Sequence, residues 1–466
     1  MTAIPVGERL GAIMNLADAS HINLRKNQNN IISIFECNGI GMLQACIFAK
    51  AGYTVIGVVL NPHTRKQIEK SSLQFKANKI VQQLRRYMKE GLFSLSADAR
   101  AAASKSDISL IVVQPRIDKR KKPDYSPIEK MCKDIGMGIK RGSLILFTGM
   151  TGPSKVEGAL REILEKTSGL TAGDDFSLAF SSIDLNPKDI STQTSKPLRF
   201  IGAIDQASLA VTDNVLKSIE DSEIVKVSNI RTAEAINLFR KARAATNLAL
   251  TNELALLCER LNVDFLEVLN ALQKDTILEA PFPGIPSNSV RRASYLLQDE
   301  AENVDLKLRL ISLSRKINDE IIDHAFRLVK ELLKIRKKVV SRAKISILGI
   351  SGLENQKAPP KLLTRKFVDL LQSKVRKVQV YDPFFSKKEL IELGFEAETF
   401  SKVCESTDCV IVMVGHSKFE RLNLRNIRLL ARKNPALLDL GYILDPYEVE
   451  RYGFAYRGLG RGIWSK

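Results

Sequence analysis

The stretch TAEAINLFRKARAATNLALTNELALLCERLN, Thr232–Asn262, keeps helical spacing from end to end. Its apolar positions Ile236, Leu248, Leu250, Leu254, Leu257 and Leu261 form one stripe. A helix of that length packs against another helix or a second subunit. A second long helix is expected over 303–339, ending in a run of Lys and Arg that suits the negative end of its dipole. On both sides of this helical centre the pattern changes. Before it, NIISIFECN, GMLQACIFAKAG and YTVIGVVLN read as strand, helix and strand, and DISLIVVQP and SLILFTG add further strands. After it, AKISILGIS, RKVQVYDPFF, DCVIVMVGH and ALLDLG restart the alternation. Strands alternating with helices imply parallel sheets. The expected fold is α/β: two Rossmann-like doubly wound domains joined by a central helical dimerisation domain. The expected boundaries are an N-terminal extension at 1–29, a first domain at 30–204, the helical centre at 205–339 and the last domain at 340–466.

A chain of 466 residues, 44% apolar and 26% charged, has the composition of a soluble globular protein of two or three domains. No apolar run reaches bilayer length, and the N-terminus lacks the long apolar core of a secretory signal. The six cysteines show no metal spacing and read as reduced core thiols of a cytoplasmic protein. The net charge of +19 is concentrated at 61–90, 116–140 and 327–344. Such segments can attract phosphates, nucleic acid or other polyanions, or can be a solvated face.

Several strings together resemble the UDP-glucose/GDP-mannose dehydrogenase family, the nucleotide-sugar dehydrogenases. They are the central helix with its Asn252-Glu253 pair, KPDYSPIEKM, LSRKINDEI, VYDPF, GHSKF and the terminal GLGRG. The resemblance implies an NAD-binding Rossmann domain, a helical dimerisation domain and a second Rossmann-like domain for the nucleotide sugar. It also implies oxidation of a sugar's primary alcohol to a carboxylate by two hydride transfers through a cysteine thioester.

The residues at the family's site positions differ. Ser289 stands at the cysteine and Ala293 at the aspartate four residues on. A thiolate is nucleophilic near neutral pH, whereas serine needs an activating base. The family's oxyanion-stabilising Lys and its Asn partner are replaced by Asn237 and Lys241. Residues four apart on a helix sit about 6 Å apart along it, so the two do not simply exchange places. Ile183, in SSID, takes the position of the catalytic Glu, and Thr148-Gly149 that of a Ser-Thr pair. Counting back from AGY places Glu36, Asn38 and Gly41 at the three glycines of the dinucleotide fingerprint, with Val59 at the acid that holds the ribose. The loop SGLENQKAPP lacks the family's Arg, with Lys357 nearby, and Gly441 takes the Arg position of a late DTR.

From these losses the sequence predicts a non-catalytic homologue: a scaffold, or a regulatory or ligand-binding subunit, pairing through the central helices with itself or another chain. No cofactor is then expected, although a noncatalytic nucleotide sugar is a candidate ligand. One alternative is a divergent NAD-dependent UDP-sugar dehydrogenase acting on a sugar primary alcohol, which would need NAD. Another is a basic protein binding nucleic acid or another polyanion, though no nucleic-acid motif or aromatic stacking array supports it. His416, Asn237 and Asn252 read as structural polar residues.

Overall fold

The computed structural model describes residues 30–37, 39–69, 79–182, 198–219, 223–272 and 281–462. The N-terminal extension, Asn38 and Ile183 therefore lie outside the described residues. The chain runs β1 (Ile31–Phe35), α1 (Ile40–Lys50), β2 (Thr54–Val58), α2 (Pro62–Glu69), α3 (Lys79–Lys89), β3 (Phe93–Ser96), α4 (Ala99–Lys105) and β4 (Ile108–Ile111). A short antiparallel ribbon follows, β5 (Arg116–Ile117) with β6 (Pro123–Asp124), then α5 (Ser126–Gly136), β7 (Leu144–Phe147) and α6 (Arg161–Ser168). The first domain ends with β8 (Ser177–Ser181), β9 (Leu198–Ala203), α7 (Gln206–Ile219) and β10 (Glu223–Lys226).

The eight strands order as β10-β9-β8-β7-β4-β1-β2-β3. All neighbours are parallel except β8 and β9. Both faces are covered, which is why the strands read as near-continuous apolar runs. Phe48, Leu84 and Leu216 pack on one face, and Ala102, Ile128, Cys132 and Leu164 on the other. Residues 206–226, which the sequence pattern joins to the helical centre, lie with this sheet: α7 packs on β8 and β9, and β10 is its edge strand.

The helical centre holds α8 (Ile230–Leu261), α9 (Phe265–Leu272), α10 (Asn288–Glu302) and α11 (Arg309–Ile335). Asn229 caps α8 by accepting from the Thr232 amide at 2.8 Å, and Asn262 ends it in the left-handed region at φ 56°. The expected helix over 303–339 is shorter at both ends. Asp305 and Lys337 take φ of 54° and 55°, which break the helical path on either side. The segment 288–302, read from sequence as a loop-like rim, is a full helix started by Ser287, whose Oγ accepts from the Val290 amide.

The C-terminal domain comprises β11 (Lys344–Leu348), α12 (Leu362–Gln372), β12 (Lys377–Tyr381), β13 (Cys409–Val412), β14 (Ala436–Asp439) and β15 (Ala455–Gly458), with short helices between. Its sheet is wholly parallel in the order β12-β11-β13-β14-β15. Leu328, Val329, Leu332 and Leu333 of α11 enter its core, so the long helix ties the centre to this domain. Among the described residues no helix is long and apolar enough to cross a membrane.

One buried acid joins the first domain to α8. The Glu234 carboxylate is fully buried and accepts from Thr151 Oγ1 at 2.7 Å and the amides of Ser154 and Val156 at 2.8 and 3.2 Å. Burial drives its pKa from 4.5 up to about 8 despite those donors. The native state then keeps a proton that the unfolded chain has lost, so stability falls as pH rises through this range. Asp439, raised to about 6 by burial, acts with the same sign at lower pH, which leaves pH 6–8 to Glu234. We expect the melting temperature to fall across pH 6–8, by up to about 1.4 kcal/mol of stability per pH unit. Glu234→Gln will be less stable, because an amide nitrogen must face a donor, and its melting curve will lose this slope. An unchanged slope in the variant would assign the effect elsewhere.

Candidate functional site

Each sheet has a point where its strand order reverses, between β4 and β1 in the first and between β11 and β13 in the second. Crevices outside the carboxyl ends of the strands at such points are where open α/β sheets bind ligands. The segment Pro281–Ser287 and the start of α10 run between the two.

At the first crevice, β1 ends at Phe35 and the chain turns through Glu36, at φ 66°, and Gly39, at φ 41°, into α1. A side chain at Gly41 would place Cβ 2.6 Å from the Glu36 carbonyl oxygen, so only glycine closes this turn. The tight turn into the amides of a helix N-terminus fits a dinucleotide's pyrophosphate. Val59 is buried at the end of β2 and offers the ribose no acceptor. Glu36 brings a carboxylate to the turn. On the other side of the reversal, Gln114 follows β4, whose Ile111 is in register with Phe35. Arg292 of α10 reaches across and donates from Nη1 to Gln114 Oε1.

The second crevice is a cavity of about 410 Å³. Its walls are the loops after β11 (Ser351–Asn355), β13 (Met413–Gly415) and β14 (Leu440–Ile443), and Phe282–Ile285 forms its roof. Asn252 of α8 fixes that roof: its side chain exchanges hydrogen bonds with Gly284, accepting from N at 2.7 Å and donating to O at 3.1 Å. It also donates to Asn318 Oδ1 at 2.9 Å, and Asn318 donates to the Ala245 carbonyl. Phe282 lies against Tyr442 with ring centroids 5.6 Å apart. Lys361 lines the cavity and donates from Nζ to the Ile285 carbonyl at 2.9 Å. Burial lowers its pKa, against the pull of Glu354.

Asp382 and His416, both fully buried, hold the cavity loops. His416 Nδ1 accepts from the Asn355 amide, so Nε2 carries the proton and faces Asp382 Oδ2 at 3.3 Å. Asp382 also accepts from the amides of Ile350, Ser351 and Phe384. Burial opposes its ionisation, but the bonds from His416, Ile350 and Phe384 outweigh it and keep the pKa below the ordinary value. His416 thus has an anchoring place here. Gly441 backs onto Gly415: a Cβ there would lie 2.9 Å from the Gly415 nitrogen, leaving no room for a larger residue without a backbone shift.

Ser289 sits half-buried in the first turn of α10, its Oγ 3.0 Å from Ser287 Oγ. Ala293 is fully buried against Leu238 and Ala242 of α8. Asn237 is buried on α8, and Lys241 is half-buried one turn on. Thr148 is buried beneath the β4 carbonyl of Ile111. The structure therefore gathers Glu36, Gly41 and Val59 at one crevice and places Ser289 on the helix between the two clefts. The sequence reading passed over Arg292, Gln114 and Lys361. The doubled Arg291-Arg292 on an otherwise apolar helix face was the available signal. Arg291 itself is occupied by a bidentate pair with Asp319, at 2.8 Å for both bonds. The basic segments are partly neutralised: Lys122 pairs with Asp299 and Glu302, and Lys338 and Arg432 with Asp408.

Three family models match the chain in order. They are the NAD binding domain of the UDP-glucose/GDP-mannose dehydrogenase family over 30–220, its central domain over 231–320 and its UDP binding domain over 363–446. A UDP-N-acetyl-D-mannosamine dehydrogenase of Pyrococcus horikoshii is 25% identical over 92% of this chain and 99% of its own length. A UDP-N-acetyl-D-glucosamine 6-dehydrogenase of Pseudomonas aeruginosa is 27% identical over 73% of this chain and 81% of its own. The solved UDP-D-ManNAc dehydrogenase of Pyrococcus horikoshii superposes with TM-score 0.82 at 24% identity, covering 93% of this chain and all of that one. These matches correct the expectation of a non-catalytic scaffold or regulatory subunit. Dehydrogenases align along nearly the full chain, through the NAD and UDP binding domains alike, so the dehydrogenase alternative is the better supported. The polyanion reading gains nothing from them.

Proposed function

Because this chain belongs to the UDP-glucose/GDP-mannose dehydrogenase family, we propose that it is an NAD-dependent nucleotide-sugar dehydrogenase acting on the sugar's primary alcohol. The observation that carries this reading is the cavity at the second crevice. Its roof, Pro281–Ser287, leads directly into the helix that bears Ser289 and Arg292 and reaches the first crevice. A UDP-sugar lies in the cavity with its diphosphate toward Lys361 and its base against the Phe282–Tyr442 pair. Asn252 holds the roof at Gly284 and so sets the height of the sugar. The amides at the start of α1 and the Gly41 turn hold the dinucleotide. NAD, when bound, supplies the hydride acceptor.

Serine at 289 sets the depth of oxidation. Its nearest hydroxyl partner, Ser287, is no base, so it does not form the ester that a thiolate would form. The reaction stops at the aldehyde after one hydride transfer. The test is to incubate the protein with NAD and UDP-glucose, UDP-N-acetylglucosamine and UDP-N-acetylmannosamine, with hydroxylamine as aldehyde trap. We expect NADH in a one-to-one ratio with trapped aldehyde. Two NADH per sugar, with a carboxylate product, would show that the second step is intact. No NADH with any of the sugars would refute the dehydrogenase reading.

We infer that two copies pair through α8. Leu250, Leu254, Leu257 and Leu261, expected from sequence as a packing stripe, are 40–61% exposed in the single chain. Their spacing places them on one face beside exposed Leu310 and Leu313 of α11.

A further inference from the structure

We propose that Arg292 is the counter-cation that makes an acidic dinucleotide turn usable, pairing its guanidinium with Glu36 and with the pyrophosphate of the bound cofactor. The inference rests on the dehydrogenase reading above and adds a cofactor-positioning residue to it.

A pyrophosphate at a Rossmann turn is held by backbone amides, and glycines keep side chains out of its way. Here Glu36 stands where the chain leaves β1, and a carboxylate beside two phosphate charges opposes binding. The fold supplies a remedy from a distant segment. Arg292 projects from α10, donates to Gln114 beyond β4, and so spans the reversal point between β4 and β1. Glu36 is the charge that favours its protonated form, while burial of the guanidinium works against it. An arginine keeps its charge in such a place and offers five donors in a planar fork. It can therefore serve the Gln114 oxygen, the Glu36 carboxylate and a phosphate oxygen from one position. Glu36 holds φ 66°, a conformation that glycine takes without strain. The glutamate is thus retained against local preference at the one site where a cation faces it.

The pairing makes a prediction of sign. Arg292→Met leaves Glu36 uncompensated and weakens NAD binding by about tenfold or more. Glu36→Gly relaxes the turn, leaves Arg292 wholly to the phosphates and tightens binding by about fivefold. The double variant removes both charges and returns to within about threefold of the wild type, a coupling that independent sites do not show. The experiment is calorimetric titration of the four full-length proteins with NAD, each first checked for UDP binding as proof of fold. Restoration in the double variant is the expected result. Equal binding by wild type and Arg292→Met overturns the inference alone. Tighter binding by Arg292→Met makes Arg292 a plug and overturns it too. A double variant as weak as Arg292→Met overturns the Glu36 pairing. Failure of all four to bind NAD while all bind UDP overturns the NAD-dependent reading as well.

Discussion

Lys361→Met will weaken UDP binding by about thirtyfold while leaving the fold intact. Lys361 is the cavity-lining side chain that joins roof to wall: its Nζ donates one hydrogen bond to Ile285 and keeps two protons for a ligand. The other ionisable groups around the cavity include Glu354 and Glu420, which repel a diphosphate. A buried ammonium has already lost much of its water, and this burial lowers its pKa in the free protein. A diphosphate beside it stabilises the charged form, so binding draws in a proton wherever the free lysine is partly neutral. Methionine keeps the length and the apolar stem but carries neither charge nor donor. Isothermal titration with UDP, repeated in two buffers of different ionisation enthalpy, reads both the affinity and the proton uptake. Unchanged affinity would place the diphosphate elsewhere.

The overall plan was legible because it rests on periodicity. Parallel strands covered on both faces must be apolar throughout, and a helix as long as α8 must carry a continuous stripe. The segment 288–302 was not legible as a helix: its opening, Pro286-Ser287-Asn288-Ser289, has loop composition, and its cap is a side-chain bond that spacing does not reveal. The turn at Glu36 and Gly41 could be placed by counting, since a strand, a tight turn and a helix fix the distance. The partners of that turn could not. Arg292 and Gln114 meet across 178 residues of sequence, and Asn252 meets Gly284 across 32. This is why the sequence favoured a protein without activity. Position by position, Glu36 reads as a damaged fingerprint. In the folded chain the same carboxylate faces a guanidinium from another domain, and the penalty estimated for it alone no longer applies. Val59 has no such remedy among the described contacts, and the ribose end of the crevice remains the weaker half.

The dimer gives the other large expected effect. Leu254→Glu/Leu257→Glu will convert a dimer into a monomer at micromolar concentration. In the single chain these leucines are 40% and 51% exposed, on a helix whose opposite face is buried by α10 and α11. Burying a leucine side chain contributes about 1.5–3 kcal/mol, and a two-fold interface uses every leucine twice. Glutamate at both positions forfeits four such burials and sets four like charges along one seam. Dissociation therefore strengthens by about a thousandfold or more. Neither side chain belongs to the core that holds α8 against the sheet, which is formed by Ile230, Ala233 and Leu238 with their neighbours, so each monomer keeps its fold. Light scattering after size exclusion measures the mass directly, and UDP titration confirms that the cavity survives. A monomeric wild type, or a variant that remains dimeric, would exclude α8 as the pairing surface. If the variant is a monomer that binds UDP but no longer produces NADH, pairing serves catalysis by fixing α8, and with it Asn252 and the roof of the cavity.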